Sequence, residues 1–98
     1  MKSNAKVEKK LEQLMKRFDT AMLNAMVDSE FIHEHQIRQI QIRKECRDKT
    51  LAIQKQYGVT PMFSSSELKQ QEDTYHHNRQ QFEQHYPESR HLFSCKYL

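Results

Sequence analysis

Ninety-eight residues, 36% hydrophobic and 30% charged, with a mean hydropathy of −1.02, make one domain at most, and its own core is marginal. One Gly and two Pro leave few places to turn, and the abundance of Lys, Glu, Gln, Arg, Met and Leu favours long helices and argues against an all-β fold. The net charge of +3 sits at the start of the chain, since residues 1–27, 28–57 and 58–98 sum to +3, +1 and −1, so the basic part is local.

The first helix is predicted over residues 4–27, capped by Ser3 or Asn4. Its apolar positions Val7, Leu11, Leu14, Phe18, Ala21 and Ala25 recur in alternating steps of 4 and 3, the seam pattern of a coiled coil. Met15, Met22 and Met26 widen the stripe on one side. The phase changes at Val27-Asp28-Ser29-Glu30. Either Asp28 or Ser29 caps a new helix after a corner, or the helix runs on with a stutter; a break or bend near 28–29 is the preferred reading.

A second helix is predicted over 30–57 with two apolar sides. Ile37, Ile40 and Leu51 share one with Lys44 and Arg47, whereas Phe31, Ile42, Cys46, Ile53 and Tyr57 share another, as in a helix with neighbours on two sides. Tyr57-Gly58 and Thr60-Pro61 end it, giving a turn over 58–64. Ser64 and Glu67 match a capping box, opening a third helix over 65–86 that stops before Pro87. Its narrow apolar face is Leu68, Tyr75, Phe82 and Tyr86, and the last two are expected to clamp it back. The tail 87–98, with Leu92, Phe93, Tyr97 and Leu98, either folds back over the helices or serves as a docking peptide.

Catalytic or metal chemistry finds little footing. His33 and His35 are two apart, and His76 and His77 are adjacent, so on a helix neither pair converges. Asp73 with His77, and His91 with Cys95, are two-ligand fragments where a structural zinc site needs four. Cys46 lies among Arg43, Lys44 and Arg47, which could lower a thiol pKa, but its spacing from Ile42 and Ile53 reads as a small packing position. One Gly rules out a Gly-rich phosphate loop. No cofactor, metal or enzymatic activity is expected.

These observations lead to an all-α protein of two or three helices, a long coiled-coil-like hairpin completed by oligomerisation, with itself as a homodimer or with another protein. It is read as an interaction module (adaptor, assembly factor, chaperone-like clamp or inhibitor) whose interface is Val7, Leu11, Leu14, Met15, Phe18, Met22 and Met26. The alternative is a nucleic-acid-associated regulator using Lys6, Lys9, Lys10, Lys16, Arg17, Arg38, Arg43, Lys44 and Arg47; those cations are interleaved with acids, and the pI of about 8.9 is below that of most dedicated DNA-binding domains. No membrane span or signal-like apolar stretch is present, so a cytoplasmic, or in a eukaryote nuclear, location is expected by elimination.

Overall fold

The structure is a computed structural model that describes residues 2–98. The described residues are all-helical: α1 (Lys2–Asp28), α2 (Ile32–Gln56), α3 (Ser65–His85) and a 3₁₀ helix (Pro87–Phe93).

The chain breaks between α1 and α2, and the cap lies later than Asp28 or Ser29. Phe31 is the residue before α2, with extended backbone (φ −116°, ψ 153°). The Glu34 carboxylate reaches back to accept the backbone N–H groups of Glu30 and Phe31 at 3.0 and 2.9 Å. The Phe31 N–H is the main cause that holds the Glu34 carboxyl below its usual range. Ser29 works on the other side of the corner, donating to the Ala25 carbonyl at 2.6 Å and accepting from Arg38 at 2.8 Å.

Gly58 closes α2 with φ +67°. Its N–H donates to the Lys55 carbonyl and that of Val59 to the Gln54 carbonyl, at 3.2 and 3.0 Å, the paired bonds of a Schellman cap. A Cβ built on Gly58 meets nothing within 4 Å. Gly58→Ala is therefore expected to cost about 1–2 kcal/mol through backbone strain alone, read as a lower urea midpoint with an unchanged slope. Ser64 then caps α3: its hydroxyl accepts the Glu67 N–H at 3.2 Å, and the Glu67 carboxylate accepts the Ser64 N–H at 3.5 Å.

Two apolar clusters divide the interior, and α2 contributes to both. In the first, Ala21 and Ala25 of α1 meet Ile42, with Phe18, Met22, Tyr97 and Leu98 packed around them. In the second, Ile37 meets Leu92 and Phe93, with Ile40 and Phe82 alongside. Ile37 and Ile40 of one predicted side and Ile42 of the other thus have different neighbours, whereas Phe31 is exposed. The tail folds back as a structural element. The backbone N–H of Tyr97 donates to the Glu45 carboxylate at 3.0 Å, and its hydroxyl donates to the Leu92 carbonyl at 2.8 Å. Burial is the main cause that pushes the Tyr97 phenol up to about 12. Tyr86 anchors the end of α3 by stacking on His33, ring centroids 4.0 Å apart.

Among the described residues, no Cα of α1 comes within 8 Å of one in α3. The three long helices lie side by side with α2 in the middle, in a slab of 48 × 30 × 15 Å. The radius of gyration is 15.1 Å, against about 13 Å for a compact chain of this length.

Candidate functional site

The slab leaves an open groove of about 750 Å³ between α1 and α3, floored by α2. Leu11, Met15 and Phe18 form the α1 wall, at the 4- and 3-residue steps that keep side chains on one helix face. Ile40, Arg43, Lys44, Cys46, Arg47 and Thr50 supply the floor, and Gln70, Gln71, Thr74, Tyr75 and Asn78 the α3 wall. Met62 and Phe63 of the α2–α3 turn add to the lining. Gln54, itself buried, holds that turn by accepting the Met62 backbone N–H at 3.1 Å.

The charges in the groove are not equivalent. The Glu72 carboxylate sits between Lys44 Nζ at 3.1 Å, a short hydrogen bond from Arg47, and His76 Nε2 at 3.2 Å. Burial would raise the Glu72 carboxyl, but the Lys44 hydrogen bond and the neighbouring cations outweigh it and hold it low. Lys44 also pairs with Asp48 at 3.0 Å and lies 4.9 Å from the centroid of the Tyr75 ring. These ties join α2 to α3 and consume two of the three cations. Arg43 is exposed and has no carboxylate within 4.0 Å among the described residues. Burial pushes the Cys46 thiol above its ordinary value, which lowers the thiolate fraction near neutrality. Among the described residues no three His, Cys, Asp or Glu side chains come together as a metal site, and no helix is long and apolar enough to cross a membrane.

The predicted interface residues separate. Val7 and Leu14 are buried, as are Ala21 and Ala25 of the same seam. Exposure of that seam was the ground for expecting a second molecule on it, and this part needs correcting. At Ala21 and Ala25 the cover comes from Ile42 of α2, with Tyr97 and Leu98 of the returning tail alongside, an apolar surface that the composition did not promise. Leu11, Met15 and Phe18 line the groove, with Met15 47% exposed. Met22 is half-buried on the first cluster, and Met26 stays exposed beside Leu23 and Val27.

The cations of the alternative reading separate as well. Lys6, Lys9, Lys10, Lys16 and Arg17 are exposed, but helical spacing puts them on flanks of α1 away from the groove wall. Lys10 lies 6.0 Å from the centroid of the Tyr57 ring. Arg38 is held by Ser29 at the corner, while Arg43, Lys44 and Arg47 reach the groove. Sequence reasoning missed Met62, Phe63 and the uncharged wall of α3. The signal for that wall was the four-residue spacing of Gln70, Thr74 and Asn78, a stripe without a single charge.

Comparison with protein-family models, with curated proteins and with solved structures found no match.

Proposed function

We propose that this protein is an interaction module whose groove takes an amphipathic helix of a protein partner. The observation that carries this reading is the open channel between α1 and α3, with Leu11, Met15 and Phe18 on one wall and an uncharged amide wall opposite. Apolar anchors at i, i+4 and i+7 of a docked helix fit such a lining, and Met15 adds an adaptable surface. Arg43 favours a partner helix with carboxylates along one flank, because its guanidinium is the groove cation without a partner among the described residues.

The chain contains no Trp, so Phe63→Trp places a single indole reporter in the lining of the groove. Synthetic helical peptides with Leu at i, i+4 and i+7 and either Glu or Lys flanks are the probes. The Glu-flanked peptide is expected to shift the emission of the indole reporter at micromolar concentrations, about tenfold more weakly after Arg43→Glu and not at all after Met15→Lys. Silence toward both peptides in a chain that sediments as a monomer overturns the groove reading. An anisotropy titration with duplex DNA and RNA separates the nucleic-acid alternative, which calls for tight binding that falls steeply with salt.

A further inference from the structure

The chemistry that the groove asks of its occupant is present on α1 itself. Glu8, Glu12, Met15 and Asp19 follow one another in steps of 4, 3 and 4, so they form a single stripe beside the groove wall. All four are exposed, and the three carboxylates have no cation within 4.0 Å among the described residues. An apolar anchor flanked by carboxylates therefore lies next to an apolar groove whose unpaired charge is a guanidinium. We propose that the groove is filled by α1 of a second copy, each α1 lying in the other protomer's groove about a two-fold axis at Met15.

Register supports this occupant. Ala21 and Ala25 pack on Ile42, so Arg43 lies near the level of Met22. Met22 is seven residues beyond Met15, and Glu8 is seven before it. In an antiparallel pair centred on Met15, Glu8 of the second copy thus arrives at Arg43. Glu12 arrives at the level of Phe18, close to the Arg47 end of the cationic floor. Within one protomer the two partners are far apart, because the fourteen residues from Glu8 to Met22 correspond to about 21 Å of helix.

The shape of the protomer argues the same way. The described chain, tail included, is 15 Å through its thinnest dimension, and its groove stays open on one side, whereas domains commonly bury such a face against a second packed layer. The tail covers one face of α2, and a second slab stacked on the open face supplies the missing layer. The arrangement is isologous, so a single ridge and a single groove satisfy both protomers.

This inference rests on the groove being a helix site, and sedimentation equilibrium of the full chain from about 1 to about 100 µM tests it separately. The wild type is expected to show twice the 11.9 kDa protomer mass. Met15→Lys, Arg43→Glu and Glu8→Arg are each expected to weaken the dimer by about tenfold or more, with helicity by circular dichroism retained. The double variant Glu8→Arg/Arg43→Glu, which restores the pair only between copies, is expected to recover the dimer. A monomer throughout the range overturns the inference, as does a dimer indifferent to Met15→Lys and Arg43→Glu, or a double variant no better than the singles. A monomer whose Phe63→Trp reporter still answers the Glu-flanked peptide removes the second copy and leaves the groove reading standing.

Discussion

Phe93→Ala is expected to cost about 3–5 kcal/mol, a large part of the roughly 5–15 kcal/mol that a domain of this size holds in total. Phe93 is 2% exposed and packs with Ile37, which is fully buried, and with Leu92. Tyr75 meets its ring edge-on at a centroid distance of 6.5 Å, and the Arg79 guanidinium lies 5.3 Å from its centroid. Truncation removes the burial of a whole ring, both ring contacts, and the filler between α2 and α3. The space cannot collapse readily, because α2 is held to α3 by the Glu72 ion pairs on the groove side. Urea unfolding followed by circular dichroism measures the cost, with a large fall in midpoint expected. A loss below about 1 kcal/mol would mean that the tail lies on the helices without stabilising them.

Ile42→Ala should cost about 2–5 kcal/mol by the same physics at the other cluster. Ile42 is fully buried, and Ala21 and Ala25 allow α1 to approach it closely. Two small residues facing one large one give this contact little freedom to refill a cavity. The clusters share α2 but have different members, so the two losses are expected to add within about 0.5 kcal/mol in the double variant. A strongly sub-additive double would show that the interior behaves as one core; thermal melts with van't Hoff analysis supply the numbers.

The helices were legible because their signals are local. The alternating steps of α1 mark its long face, the single Gly marks the end of α2, and Ser64 with Glu67 marks the start of α3. The cap at Phe31 was not legible, since no side-chain preference selects Phe there; the working group is Glu34, three residues later, reaching back to two backbone N–H groups. The groove was legible only in halves. Leu11, Met15 and Phe18 appeared as a stripe, and Arg43, Lys44 and Arg47 as a basic run. Only the placement of α1 and α3 on opposite sides of α2 joins them. The fate of Ala21 and Ala25, at the other end of the seam from Val7, escaped for a related reason. Whether a stripe is covered depends on which distant residues return to it, and here Tyr97 and Leu98 lie more than seventy residues away in sequence.

The separation of α1 from α3 among the described residues also has a mechanical meaning. Among the described residues α1 is secured along α2 and, on the far face, by Tyr97 and Leu98, whereas no helix pairing spans the mouth. A change in the width of the mouth is therefore expected to load the Ala21 and Ala25 contacts on Ile42 and to leave the Phe93 cluster and the Glu72 ties closed. On the proposed helix-binding reading, a wider occupant is accommodated at that α1–α2 contact.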